Sequence, residues 1–280
     1  MKHGRILLAV DLSYQTYRAA SSHPTLKSMD DVFTGGVFGF MVTLAKTIRE
    51  CRATHVVVTK DVKPYRRSET YPEYKMLRKN TQDLELRDKY LASVPLVEEL
   101  LDVVGIPTME APGFESDDCI AHIISHHRHR YQTIYAASND SDLYQLFYCA
   151  WFKVWRKDAE SVMDYWRLLK ETGLEPEEFI MASALMGTHN DIAGIPKVGP
   201  VTSYKAAKNP GLLRPYLERH GELIQRNLGL IRLPHAAFPR DLPVPHRHKA
   251  FDARALYKWC AKYDITTTRS MVDAFEQVDT

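Results

Sequence analysis

The chain has 280 residues, 45% of them hydrophobic, and carries 37 Lys plus Arg against 35 Asp plus Glu, a formal net charge of +2. That length and apolar content suffice for a real core in one large domain or two, so the chain should fold as a globular protein. The near balance of charge excludes an overall polycation; any basic nucleic-acid surface must be local and offset by an acidic patch.

In chain order, Ile6–Val10 reads as a buried strand that stops at Asp11. It is too short for a signal-peptide core or a membrane span, and no later run reaches spanning length. The expectation is a soluble, cytoplasmic protein with no membrane partner. Cys51, Cys119, Cys149 and Cys260 form no C-x-x-C pair and sit within or beside apolar runs, as reduced core thiols do. Val37–Ile48 has apolar residues at helical spacing after the Thr34-Gly35-Gly36 break, and Leu91–Val104 does the same before Gly105-Ile106-Pro107. Val56–Val58, Thr133–Ala137 and Phe152–Trp155 read as further strands. This alternation predicts an α/β fold, a mostly parallel sheet flanked by helices. From about residue 174 helical segments take over, with Glu175-Pro176-Glu177-Glu178 opening one and Val201–Lys208 forming another. Prolines 234, 239, 243 and 245 favour an extended connector over Pro234–His248.

Two acidic clusters, Glu115-Ser116-Asp117-Asp118 and Asp140-Ser141-Asp142, lie about two dozen residues apart, with Asp11 and Asp61 behind the earlier strands. Singly, each is what an exposed helix start attracts. Asp11, Asp61 and Asp140, each just beyond a strand of a parallel sheet, would converge at one rim, where ligands gather. So many carboxylates in one place repel and raise each other's pKa, and the usual resolution is one or two hard divalent ions with oxygen ligands. Metal-ion phosphoryl chemistry is therefore expected.

Between Lys60 and Lys79 stand seven cations (Lys60, Lys63, Arg66, Arg67, Lys75, Arg78, Lys79) against three acids, interleaved with Tyr65, Tyr71 and Tyr74. This is the composition of a single-strand-binding surface or of a solvated basic loop, and its place directly after Asp61 favours substrate contact. The run Gly194-Ile195-Pro196-Lys197-Val198-Gly199-Pro200-Val201-Thr202 reads as a glycine hairpin opening a helix, whose N–H groups suit a DNA phosphate or serve an ordinary inter-helix turn. His126, His127 and His129, beside Arg128 and Arg130, read as a solvated helix end. No G-x-S-x-G elbow or Cys/His setting supports nucleophilic catalysis.

The motifs Val10-Asp11-Leu12-Ser13, Tyr71-Pro72-Glu73-Tyr74-Lys75-x-x-Arg78, Gly113-Phe114-Glu115-Ser116-Asp117-Asp118, Ser138-Asn139-Asp140-Ser141-Asp142-Leu143-x-Gln145-Leu146 and Met186-Gly187 through Thr202 occur in one order. Together they resemble the 5′ nuclease (flap endonuclease) family, most closely its phage type and the 5′-nuclease domain of bacterial DNA polymerase I. Arg226–Pro234 is similar to a later helix of that family. The resemblance implies a PIN-like nuclease domain over 1–173 with a helical arch at about 62–100. It also implies a helical DNA-binding region over 174–280, with a helix-three-turn-helix (helix-hairpin-helix) element at about 185–208. By motif position Asp11, Asp61, Glu115, Asp117 and Asp118 would hold one Mg²⁺, with Asp140, Asp142 and Asp191 near a second; Mn²⁺ would substitute and K⁺ would sit at the hairpin. Lys75 and Arg78 would neutralise charge on the scissile phosphate and Tyr74 would stack on a terminal base. Arg66, Arg67, Lys79, Gly194, Lys197, Gly199, Thr202 and Lys205 would contact DNA.

The implied activity is metal-dependent, structure-selective 5′ nuclease action on DNA with a 5′ flap or 5′ end, by a monomer, in replication or repair. Three departures bear on it. Gly187-Thr188-His189-Asn190-Asp191-Ile192 is one residue shorter than the family's Gly-Asp-x-x-Asp-Asn and puts Thr188 where its first Asp stands, which predicts a second metal site that is weaker, or is completed by water or His189. Lys197 replaces the second hairpin glycine, and Lys60 precedes Asp61 where a small or aromatic residue is commoner. A DNA-binding relative without activity and a PIN-type ribonuclease are the rival readings.

Overall fold

The computed structural model describes residues 4–76, 83–148, 150–156, 161–188, 192–247 and 249–278. In chain order the elements are β1 (Ile6–Asp11), α1 (Leu12–Ser22), α2 (Gly35–Cys51), β2 (His55–Thr59), α3 (Arg67–Thr70), α4 (Leu84–Val104), β3 (Thr108–Met109), α5 (Ser116–His127), β4 (Thr133–Ala137), β5 (Phe152–Arg156), β6 (Ser161–Met163), α6 (Tyr165–Thr172), α7 (Pro176–Met186), β7 (Gly187–Thr188), β8 (Ile192–Ala193), α8 (Pro200–Lys208), α9 (Pro210–Ile231), α10 (Ala253–Lys262) and α11 (Arg269–Glu276). All four strands read from the sequence form. The missed ones, β3, β6, β7 and β8, have two or three residues each, too few for an alternation to register.

The main sheet has the order β3-β2-β1-β4-β5-β6 and is parallel except for β6, which runs antiparallel to β5. Successive residues of a strand face opposite sides, so β1 feeds two cores. Leu8 and Val10 join Val56, Val58 and the apolar stripes of α2 and α4, while Leu7 and Ala9 join Val57, Ile134 and the inner face of α5. The chain builds outward from β1 first through β2 to β3 and then through β4 to β6, so the topology reverses between β1 and β4. That reversal opens a crevice at the strands' carboxyl ends.

Helix α2 begins at Gly35, so the expected glycine break lies inside the helix. The reason is crowding: a Cβ on Gly36 would fall 2.0 Å from Ser93 Oγ of α4. Helix α4 begins at Leu84, capped by the Asp83 carboxylate on the Glu85 and Leu86 amides. Its first turns are largely exposed and carry no apolar stripe, which is why the sequence pattern starts only at Leu91. A third, smaller core joins α7, β8, α8 and α9 through Ile180, Leu185, Ile192, Ile224 and Leu228. Cys51, Cys119 and Cys260 are buried free thiols, pushed up by burial; Cys149 lies outside the described residues. Among the described residues no helix is long and apolar enough to cross a membrane.

Helices α10 and α11, expected within the helical DNA-binding region, instead pack on the sheet's first core: Leu256, Trp259, Val272 and Phe275 join α2 and α4 there. Arg247, from the extended connector, fixes this return. It donates to Phe275 O at 3.5 Å in the last turn of α11, to Val278 O at 2.5 Å just beyond it, and to Val104 O at 2.7 Å at the end of α4. Charge-assisted bonds to helix-end carbonyls contribute about 1.5–3 kcal/mol. Arg247→Ala should therefore lower unfolding free energy by about 2 kcal/mol in urea titration, with Arg247→Lys recovering less than half because it lacks the fork.

Candidate active site

Every acidic segment singled out by the sequence except Asp191, which lies outside the described residues, meets the crevice at the β1/β4 reversal. Asp11 ends β1 and caps α1, accepting from Tyr14 N at 3.0 Å. Register pairs Asp11 with Thr59 and Val10 with Ala137, so Asp61 and Asp140 leave the sheet just beyond the same level. Asp61 Oδ1 accepts from Ser116 N at 2.8 Å, tying β2's end to the start of α5. Glu115 and Asp118 form a capping box on α5. Asp140 caps the 3-10 turn Ser141–Leu146 and accepts from Asp142 N at 2.9 Å.

The carboxylates act on one another through space. Burial, then Asp61, push the Asp11 carboxyl up to about 7, and burial, then Asp140, Asp11 and Glu115, hold Asp117 well above the ordinary range. Asp117 Oδ1 is buried without a hydrogen-bond partner. An orphaned carboxylate oxygen among other carboxylates suits a hard divalent cation. Among the described residues, however, no three His, Cys, Asp or Glu side chains are already drawn together as a ready-made metal cage. Part of the reason is that Glu115 is engaged: it accepts from Tyr74 Oη at 2.8 Å, pairs with Arg67 Nη1 at 3.0 Å and is held by Lys75 Nζ. The residues present fit divalent ions once Lys75 and Glu115 part.

Three sequence assignments are corrected by burial. Asp118 is fully buried and faces Arg67, which donates to its two oxygens at 2.6 and 2.8 Å, so it is not a crevice ligand. Arg67 is 2% exposed, so it is not a surface cation for DNA. Burial would lower the Arg67 pKa, but Asp118 and Glu115 raise it well above the usual guanidinium range. Tyr74 is 7% exposed and packs in the third core, so its ring has no open face for a base. The rings nearer the surface are Tyr65, with Lys75 Nζ 5.3 Å from its centroid, and Tyr71, with the Arg226 guanidinium at 4.6 Å. Arg66 is exposed and pairs with Glu69 at 2.9 Å. Arg78 and Lys79 lie outside the described residues, as does His189. Lys60 pairs with Glu98 at 2.5 Å and Glu110 at 2.9 Å.

The hairpin side is equally specific. A Cβ on Gly194 would fall 2.3 Å from Met186 O, so this glycine lets two backbones touch and does not itself face solvent freely. Gly199 caps α8 with open space around it and no side-chain cap on the helix amides. Lys197, Thr202 and Lys205 are exposed around that helix start. Lys197 has φ +67°, the left-handed region that favours the glycine it replaces, and Lys75 has φ +58°. Thr188 is half-buried and pairs with Ile192 in the β7–β8 ribbon. The sequence reading assigned no role to Gln145 or Asn227, both buried; the available signal was a lone amide inside an apolar run.

The sign of the electrostatics gives a test. Folded Asp11 holds its proton up to about pH 7, whereas an ordinary carboxyl loses it near 3.8. Folding therefore takes up a proton between those values, and the group's contribution to stability falls as pH rises through that window. In EDTA, Asp117→Asn should raise the melting temperature by several degrees at about pH 7.5 and by less at about pH 5. Added Mg²⁺ or Mn²⁺ should stabilise the unsubstituted protein more at the higher pH and the variant hardly at all, as differential scanning fluorimetry would record.

A family model described as the 5′-3′ exonuclease N-terminal resolvase-like domain matches residues 6–173. DNA polymerase I of Bacillus caldotenax is 30% identical over 253 residues, which cover 85% of this chain and 28% of the polymerase. The 5′-3′ exonuclease of Aquifex aeolicus is 29% identical over 224 residues, 79% of this chain and 75% of that protein. The chain thus spans little more than a quarter of the length of the polymerase it matches. Among solved structures, the bacteriophage T5 flap endonuclease, in a pseudo-enzyme-product complex with DNA and metal ions, has a TM-score of 0.69 at 20% identity over 98% of this chain and 97% of that one. Flap endonuclease-1 of Methanococcus jannaschii gives 0.63 at 15% identity over 98% and 92%. These two likenesses establish the fold, while the family match covers well over half of the chain. The chain belongs to the 5′-3′ exonuclease family, with residues 6–173 as its N-terminal resolvase-like domain.

Proposed function

We propose that the chain is a divalent-metal-dependent, structure-selective 5′ nuclease that hydrolyses DNA phosphodiester bonds at 5′ flaps and 5′ ends, as a cytoplasmic monomer serving replication or repair. The observation that carries this reading is the set of carboxylates raising each other's pKa at the β1/β4 crevice, with Lys75 held on Glu115 beside it. The family membership and the flap endonuclease fold support it. Asp11, Asp61, Glu115 and Asp117 would hold one Mg²⁺, and Asp140, Asp142 and Asp191 a second, with Mn²⁺ able to substitute. Bound, the ions would acidify a water and screen the scissile phosphate.

The chain's own groups supply the rest. Lys75 is half-buried against Tyr65 and Tyr74 and is held in a left-handed backbone, an arrangement that aims its ammonium into the crevice. Released from Glu115 by an incoming phosphate, it would neutralise charge developing as water oxygen bonds to phosphorus and the 3′ oxygen leaves. Arg78 would assist it. The uncapped start of α8, with Lys197, Thr202 and Lys205 around it, would seat a duplex phosphate, with K⁺ at the hairpin.

Cleavage of a fluorescent 5′-flap DNA, titrated with Mg²⁺ and Mn²⁺, is the direct test. Asn caps a helix start as well as Asp, so Asp140→Asn should fold normally and cut at least about a hundredfold more slowly. Thr188→Asp should cut faster at low metal by adding a carboxylate beside the second ion. Tight flap binding without cutting at any metal concentration would leave a DNA-binding relative, and preference for an RNA substrate would favour a ribonuclease. Lys197→Gly should gain about 0.5 kcal/mol of stability, because relief of the left-handed strain exceeds the added chain entropy. It should also weaken flap binding and lower its salt slope by about one, read by fluorescence anisotropy at several ionic strengths.

A further inference from the structure

The turn that ends α9, Leu230–His235, is gripped by side chains from both acidic segments. Arg67 Nε donates to Leu230 O at 2.8 Å and Nη2 to Arg232 O at 3.4 Å, while the same guanidinium forks onto Asp118 and reaches Glu115. Asp118 Oδ1 also accepts from His235 N at 2.8 Å. From the other side Gln145 Nε2 donates to Asp142 O at 2.7 Å and Ile231 O at 3.0 Å, and its Oε1 accepts from Leu233 N at 2.9 Å. One helical turn earlier on α9, Asn227 Nδ2 donates to Ala184 O at 2.9 Å and Ala193 O at 3.0 Å, the end of α7 and the second strand of the β7–β8 ribbon. Arg226 adds a bond to Ala193 O at 3.3 Å. Asn227 and Ile231 are four residues apart, about 6 Å along a rigid helix.

We propose that Arg67, Gln145 and Asn227 are positioning residues, which lock the last turns of α9 to both carboxylate-bearing turns and to the hairpin so that DNA seated on the hairpin and the metal-binding carboxylates keep one register. The proposal rests on the nuclease reading above. Bulk stability is a poor explanation of this design, because apolar side chains of equal volume commonly stabilise a protein as well as a buried charge or amide network does. What such a network adds is a fixed geometry, since Arg67, Asp118 and Gln145 all bond backbone groups of one short turn while Asn227 ties the preceding turn of α9 to α7 and β8. Side chains that hold ligand-bearing segments typically change metal affinity or activity ten- to a hundredfold when removed.

Gln145→Met keeps volume and removes all three bonds without leaving a charge. Its companion variant is Arg67→Lys, which keeps the charge but not the fork, and the control is Val272→Ala in α11, a core change remote from the crevice. Each is measured for melting temperature, for Mn²⁺ binding by electron paramagnetic resonance, for flap-DNA affinity in EDTA, and for single-turnover cleavage. Gln145→Met and Arg67→Lys should weaken Mn²⁺ binding at least about threefold and slow cleavage at least about tenfold, with flap affinity within about twofold. Val272→Ala should lose comparable melting temperature and change none of these. Asn227→Asp, which cannot donate to Ala184 or Ala193, should slow cleavage and also weaken flap binding. Equal Mn²⁺ affinity and rate in Gln145→Met and Arg67→Lys, relative to Val272→Ala, would overturn the proposal; should one of the two variants not fold, the other decides. If the unsubstituted protein cuts no DNA, the nuclease reading fails, and the Mn²⁺ measurements still decide whether these residues position the carboxylates.

Discussion

Mutual repulsion among carboxylates is the constraint around which the molecule is arranged. Four acidic segments leave the sheet at one edge, and in the absence of cations their charges cannot all be present at low cost. The fold answers with the positive ends of its own helices: the amides of Tyr14, Ser116 and Asp142 each bond one of the carboxylates. It answers again with two cations of different kinds. Arg67 is sealed in and permanently charged, neutralising Asp118 from behind, whereas Lys75 is half-buried at the mouth, where an ammonium can exchange partners.

The two lysines in left-handed backbone illustrate how such sites keep strain. Lys75 and Lys197 occupy a region costly for a side-chain-bearing residue, one in the crevice and the other on the hairpin. In each case the backbone conformation is tolerated because surrounding contacts fix it: Tyr65, Tyr74 and Glu115 around the first, and the packed β8–α8 connection around the second.

Much of the fold was legible because each central strand is a short β-branched or apolar run ending near an aspartate, and register then brings those ends level. The approach of Asp11, Asp61 and Asp140 follows from that pattern, whereas Glu115 and Asp117 come after β3, a strand too short to read. What the sequence could not tell was direction. Arg66 and Arg67 are adjacent and chemically alike, yet the α3 start sends one to solvent and the other into the interior. Asp117 and Asp118 divide the same way on the first turn of α5, one toward the crevice and one toward Arg67. Tyr74 belongs to a core formed by residues more than a hundred positions later, a contact no local pattern encodes. The roles of the Gln145 and Asn227 amides were hard to read for a related reason: the groups they hold are backbone carbonyls and an N–H, which nearly every residue has.

The return of α10 and α11 to the first core has a consequence for biogenesis. The layer of α2 and α4 that lies on the Leu8, Val10, Val56 and Val58 face of the sheet is covered last, by the most C-terminal helices described, which pack on α2 and α4. During synthesis that apolar surface must wait until residues 253–278 have cleared the ribosome, although the strands beneath it emerged long before. Sheet and hairpin can each begin to condense early, but closure is a single late event of long sequence separation, which slows folding and prolongs exposure. A nascent chain would therefore carry its acidic crevice before it has the rigidity to use it.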